Sequence, residues 1–212
     1  MQAQSGGLPL GVPTVLGPVA ADLGAVSLRP LQRRDGEAWR TIRLRDEKFL
    51  RPWDVTSSQS WAARHTRAEW RRHRRQLRQA TQRGEALTFA IVVDDRFAGQ
   101  LTFGGIQRGA LRSGWVGYWV DSELSGHGVA TIALALAVDY AFRSAGLHRI
   151  EATIAPANVA SQKVVEHLGF RREGLLKRYL DIDGGWRDHL LYGITAEDAS
   201  GGLESLMKRW RP

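Results

Sequence analysis

Cysteine is absent from the 212-residue chain, and with it go disulfides, thiolate nucleophiles and cysteine-bound metals. No apolar run approaches the roughly 20 residues of a membrane-crossing helix, and no basic segment leads into an apolar one at the N-terminus. A soluble, cytoplasmic protein without membrane partners is therefore expected. The 6 histidines lack the spacing of a ligand set, so no metal is expected. Lysine is scarce as well: Lys48, Lys163, Lys177 and Lys208 are the only ones, and arginine carries the net charge of +8. Arginine's planar fork suits phosphate and carboxylate, which favours acidic partners such as RNA or a ribosomal surface. The same composition also serves plain solubility.

What is present suffices for one full core, at 43% hydrophobic residues, but not for two comfortable domains. Gly6, Gly7, Pro9, Gly11, Pro13, Gly17 and Pro18 mark residues 1–25 as a tail followed by a short hairpin. The domain proper is expected over 26–196, with a C-terminal segment over 197–212. Val26 to Arg29 alternates before Pro30 and reads as a strand, and 35–45 reads as a helix. Between 60 and 83, Ala63, Thr66, Trp70, His73, Leu77 and Ala80 form the packing seam of one helix. Its other faces carry Arg64, Arg67, Arg71, Arg72, Arg74, Arg75 and Arg78, either a solvated surface or one that meets RNA phosphates.

Residues 87–93 and 97–106 are β-rich and joined by Asp94-Asp95-Arg96, a hairpin signal. Residues 115–120 are apolar throughout, as expected of a central strand covered on both sides. The pattern then predicts a buried helix over 130–142 stopped at Gly146, a strand over 149–155 and a short helix over 158–168 ended by Gly169. A hairpin over 179–195 turns around Asp183-Gly184-Gly185. The fold class is α+β: a mixed, largely antiparallel sheet with helices on both faces.

Ser125-Gly126-His127-Gly128-Val129-Ala130-Thr131 lies between the central strand and the buried helix. Backbone N–H groups and a helix N-terminus meet there, and glycine lets the main chain approach a pyrophosphate. Tight strand-to-helix turns use the same glycines for steric reasons, so the loop by itself leaves both readings open. The Walker sequence needs Gly-Lys-Ser/Thr and the dinucleotide fingerprint a third glycine; neither is present. Further along stand Pro156-Ala157-Asn158-Val159-Ala160-Ser161, Leu168-Gly169-Phe170 and Glu173-Gly174. Together with the loop, these segments resemble the GNAT superfamily of N-acetyltransferases. Within it, Phe49-Leu50-Arg51-Pro52-Trp53-Asp54, Arg108-Gly109, His148-Arg149-Ile150 and the run from Asp181 to His189 are similar to ribosomal-protein-alanine N-acetyltransferases of the RimJ/RimL type. The resemblance runs from Val26 to Ile194.

That resemblance implies a GNAT-type sheet of about six or seven strands and acetyl-CoA as cosubstrate, with acetyl passing directly to an amine. It implies that Trp119, Val120, Gly126, His127, Gly128, Val129, Ala130, Thr131, Asn158 and Ser161 hold acetyl-CoA, and that Trp53, Asp54 and Tyr118 meet the acceptor. Three positions depart from the family pattern. Ser125 replaces a Gln or Arg at the loop start, Trp115 lies on the strand where many relatives carry a glutamate base, and Val165 stands where many carry the tyrosine that protonates the leaving thiolate. Ser161 is then the expected proton donor and catalytic residue. Asn158 and Ser161 also suit a helix start on local grounds, and Trp53 and Asp54 suit a structural cap.

A protein α-amino group, with pKa near ~7.8, is substantially neutral at physiological pH, whereas lysine near ~10.4 needs strong help. A site without an obvious base thus favours an N-terminal amine, in family terms that of a ribosomal protein. Two alternatives stand beside it. A small amine such as an antibiotic or polyamine calls for an acidic acceptor cleft, and a ribosome- or RNA-associated protein would keep the fold without turnover.

Overall fold

The computed structural model describes residues 14–210, so the tail over 1–13 and the last two residues lie outside it. One sheet of 8 strands runs in the order β1-β2-β3-β4-β5-β6-β8-β7, slightly more strands than the resemblance implied. β1 (Leu16–Ala21) and β2 (Gly24–Arg29) form a hairpin whose second arm is the strand read from Val26 to Arg29, rather than a hairpin contained within residues 1–25, and β2 extends the sheet by pairing with β3 (Leu87–Val93). β3 turns into β4 (Arg96–Gln107) through Asp94 and Asp95, at φ 44° and 64°. Two left-handed residues in succession match the twist of a hairpin, and aspartate tolerates them better than branched residues do. β5 (Ser113–Val120) lies antiparallel to β4 and parallel to β6 (Arg149–Ile154). β8 (Gly185–Thr195) and β7 (Arg171–Ile182) complete the sheet. β7 begins well before Tyr179, because its first residues, Arg171, Arg172 and Glu173, are exposed and carry no apolar signal.

Helices cover both faces. Leu87, Phe89, Ile91 and Val93 share a buried core with α5 (Val129–Arg143), which is apolar almost all round because α7 (Gly202–Trp210) packs on its outer side. The C-terminal segment that sequence left unassigned is thus a helix, tied to α5 where the Leu203 N–H donates to Asp139 Oδ1 at 2.9 Å. α6 (Val159–His167) also packs against α5. On the opposite face lie α1 (Gly36–Arg45) and α4 (Arg67–Gln82), with Trp39 and Trp70 ring centroids 5.3 Å apart. Two short helices, α2 (Glu47–Leu50) and α3 (Trp61–Arg64), link them.

The single helix expected over 60–83 is therefore broken at His65. Thr66 is extended, at φ −83° and ψ 165°, and its hydroxyl accepts from the Glu69 N–H at 3.2 Å. It caps a new helix, so a residue read as a seam position is a helix start. Of the rest of the seam, Trp70 is buried and His73, Leu77 and Ala80 are half-buried, but Ala63 falls on the separate helix α3 and is exposed.

Candidate active site

β5 and β6 pair only where Ser113, Gly114 and Trp115 meet Arg149, Ile150 and Glu151, and then diverge. β4 stays paired with β5 as far as Val120. The outer edge of β5 from Val116 to Val120 thus has no strand beside it, and a cleft of roughly 1010 Å³ opens along it. This corrects the expectation of a strand covered on both sides: Trp115 is 49% exposed. The Trp115 ring lies against β4 at Gly104, where a Cβ would come within 2.2 Å of it.

One wall of the cleft is main chain. Buried Asp46 anchors the turn after β5, accepting from the Ser122 N–H at 2.9 Å and the Ser122 hydroxyl at 2.8 Å. The loop then reaches Gly126 and Gly128, at φ +84° and +76°. Gly128 is the N-cap of α5 and offers no side-chain cap, so the N–H groups of Val129, Ala130 and Thr131 have no partner among the described residues. A Cβ on Gly126 would meet nothing within 4 Å. Open main chain and unpaired donors at the start of a 15-residue helix fit the pyrophosphate of acetyl-CoA. On the far side of Gly128 the Trp210 ring of α7 is so close that a Cβ there would sit 2.4 Å from it.

α6 forms the neighbouring wall. Asn158 Oδ1 accepts from the Ser161 N–H at 3.1 Å, starting the helix. Ser161, Lys163, Val164 and His167 line the cleft, whereas Val165 is fully buried in the core. The position where many relatives carry a tyrosine therefore points away from the cleft here, and Ser161 is the hydroxyl that α6 turns toward it. Tyr118 Oη lies 3.0 Å from Ser161 Oγ and donates to the Ser161 carbonyl at 3.3 Å. Burial pushes the Tyr118 phenol well above its usual range despite the opposing Ser161 bond, so it remains a neutral O–H.

The facing wall is made of side chains from α1, the 51–55 turn, α3 and α4. Arg43 pairs with one oxygen of Asp54, and Arg64 takes the other at 3.0 Å. Arg43 Nε also donates to His65 Nε2 at 3.0 Å, while His65 Nδ1 donates to the Trp61 carbonyl at 2.6 Å. Burial, reinforced by the Arg43 charge, pushes His65 down to about 4, so this ring is neutral and occupied at both nitrogens. The Arg43 guanidinium lies over the Trp61 and Trp119 rings, 4.7 and 5.4 Å from their centroids. Deeper in, His73 Nε2 lies 3.1 Å from Gln100 Oε1.

All the sequence-selected residues meet in this cleft except His127, which is exposed on the loop and does not line it. Trp53 stands at the mouth, 40% exposed. Asp54, selected to attract a protonated amine, is instead held by two guanidinium groups. The charged lining as a whole is Arg43, Arg64, Arg72 and Lys163 against Asp54 and Glu69, so the cleft is not acidic. Sequence reading missed Arg43, His65, Gln100 and Trp210 as lining residues, since none belongs to a local motif. Among the described residues no three His, Asp or Glu side chains gather as a metal site.

Residues 26–171 match the acetyltransferase (GNAT) domain family. Among solved structures, Mycobacterium smegmatis RimJ in complex with CoA-disulfide is similar, with a TM-score of 0.90 and 46% identity, covering 93% of this chain and 95% of that one. The ribosomal protein uS5-alanine N-acetyltransferase of Escherichia coli is 32% identical over 77% of this chain and 85% of its own length. The probable N-acetyltransferase YjcK of Bacillus subtilis is 31% identical over 82% of this chain and 95% of its own length. The matched family span, the open strand and the glycine loop at the start of α5 lead to one conclusion: the chain belongs to the GNAT family and is an N-acetyltransferase.

Proposed function

We propose that the protein transfers acetyl from acetyl-CoA to the α-amino group of a protein N-terminus, that of a ribosomal protein. The observation that carries the choice of acceptor is the charge of the cleft, where four cations face two carboxylates. Such a lining repels a polyamine or a polycationic antibiotic and lowers the pKa of an entering amine. An α-amino group, near ~7.8 in water, becomes neutral there readily; a lysine near ~10.4 does not. The similarity to RimJ and to the uS5-alanine enzyme supports the ribosomal acceptor.

In this reading the thioester is the acyl donor, and the protein's residues hold and orient it. The N–H groups at the start of α5 and the space over Gly126 take the pyrophosphate, and the open edge of β5 at Trp119 and Val120 takes the arm that follows. The neutral amine attacks the thioester carbon, the C–N bond forms and the C–S bond breaks. Ser161, held by Tyr118, supplies a hydrogen bond and then a proton to the departing sulfur. Trp53 flanks the acceptor at the mouth, and Tyr118 braces Ser161 on the thiol side.

The arginines of α4 support an approach to rRNA. Arg67 pairs with Glu37 and Arg72 with Glu69, but Arg71, Arg74, Arg75 and Arg78 form no ion pair among the described residues. These four are left to meet phosphates beside the cleft. The test of the function is release of free CoA from acetyl-CoA with peptides bearing free N-termini, the same peptides blocked at the N-terminus, and small amines. Release only with the free N-termini is expected; release only with small amines overturns the reading.

A further inference from the structure

We propose that His73 is the general base that takes the proton from the acceptor amine. The proposal rests on the acetyl-transfer reading above and completes it. Transfer moves one proton off nitrogen and one onto sulfur, and Ser161 serves the sulfur alone. On β5, Trp115 offers no base, so the proton acceptor comes from elsewhere in the cleft.

Other titratable groups on the acceptor wall are already committed. Both oxygens of Asp54 are held by arginines, Glu69 pairs with Arg72 at 3.4 Å, and both nitrogens of His65 are bonded. His73 differs. Its Nε2 meets Gln100 Oε1 at 3.1 Å, Gln100 Nε2 donates to Thr102 Oγ1 at 3.2 Å, and the Thr102 hydroxyl donates to Thr88 Oγ1 at 3.4 Å. Each donor in this chain points the same way, which assigns the proton to Nε2 of His73 and leaves a lone pair on Nδ1. Nδ1 has no partner among the described residues, yet no buried side-chain nitrogen or oxygen there lacks one. Nδ1 is therefore reached by solvent, and His73 lines the cleft.

The register puts this relay where it is needed. Gln100 and Thr102 stand opposite Trp119 and Gly117, whereas Leu101 stands opposite Tyr118. Side chains alternate across a strand, so His73 and its relay lie on one face of the sheet and Tyr118 with Ser161 on the other. The open edge of β5 runs between them. A base on the acceptor side and an acid on the thiol side flank one reaction path. Burial lowers the His73 pKa; the Gln100 bond opposes this, Arg43 of α1 adds to it and Asp54 opposes it. Glu69 and Arg72, the charged neighbours on α4 itself, neutralise each other. The ring is thus neutral at physiological pH and able to accept.

The step balances. As the amine attacks, the C–N bond forms and the C–S bond breaks. The N–H proton passes to Nδ1, the sulfur takes a proton from the Ser161 hydroxyl, a water molecule in the cleft restores the proton to Ser161, and His73 returns its own to water.

His73→Gln keeps an amide donor for Gln100 and removes the base. Its kcat with a free-N-terminus peptide at pH 7 is expected to fall ~10²-fold, with acetyl-CoA affinity by calorimetry unchanged and the deficit shrinking as pH rises. A parent-like kcat and pH profile would overturn the base. Gln100→Glu places a carboxylate on Nε2–H, raises the His73 pKa and moves the acid limb of kcat/KM to higher pH. An unmoved limb would overturn it as well, even if His73→Gln does not fold. No CoA release by the parent on any peptide would instead strike the acetyl-transfer reading, and the base with it.

Discussion

The two walls of the cleft are built differently. The cofactor wall is main chain, made of two short contiguous segments around Gly126–Thr131 and Asn158–Ser161, with its donors left open at the start of α5. The acceptor wall is side chain, assembled from Arg43, Asp54, Arg64, His65, His73 and Gln100 on separate elements and already bonded to itself. Recognition of a cosubstrate common to a family needs only backbone geometry, whereas recognition of an acceptor is tuned through interchangeable side chains. The difference sets what each kind of mutation does: a wall of main chain fails by obstruction, and a wall of ion pairs fails by loss of a partner.

Obstruction gives the largest effect. Gly126→Val is expected to abolish acetyl-CoA binding in calorimetry, because its side chain enters the open space over the loop and its φ of +84° disfavours a Cβ. The protein should remain folded, since a Cβ there touches no other residue within 4 Å. Gly128→Val is a poorer probe: its Cβ would strike the Trp210 ring, so it disturbs packing and binding together. Parent-like affinity in folded Gly126→Val would break the comparison.

Ser161→Ala comes next, with kcat expected to drop ~10²-fold and acetyl-CoA affinity retained. Asn158 caps the helix through the Ser161 N–H, not the hydroxyl, so stability should change little. A less stable variant with full turnover per folded molecule would reduce Ser161 to a helix-start residue. On the acceptor wall, Asp54→Ala leaves Arg43 and Arg64 without a counter-charge and should cost about 2 kcal/mol by denaturant melts, given the partial exposure of the pair. Acetyl-CoA affinity should not move. The smallest effect on chemistry belongs to Arg71, Arg74, Arg75 and Arg78 changed together to Glu. Ribosome co-sedimentation at low salt should fall while kcat on a short peptide holds; unchanged co-sedimentation would make this face a solvated one.

What was legible in the sequence follows the same division. The loop from Ser125 to Thr131 and the start of α6 at Asn158 were readable because glycine, a capping residue and an apolar helix fall within a few positions of one another. β5 was readable as a strand but not as an open one. Its apolar run predicted cover, and only the divergence from β6 after Trp115 turns those residues toward a cleft. The acceptor wall was not legible. Arg43 and His65 are 22 positions apart and meet only through the packing of α1 on α3 and α4. Asp54 looked like a free carboxylate because nothing local announced Arg43 and Arg64 on either side of it. Trp210 stayed hidden because α7 gains its place by docking on α5 rather than from a motif of its own.

The central claim is that an acetyl group crosses this cleft from CoA to a protein α-amine. Mass spectrometry of a peptide with a free N-terminus and one internal lysine, incubated with the parent protein and acetyl-CoA, tests it most directly. Acetyl on the α-nitrogen alone is the predicted result, and acetyl on the lysine, or on neither amine, would contradict it.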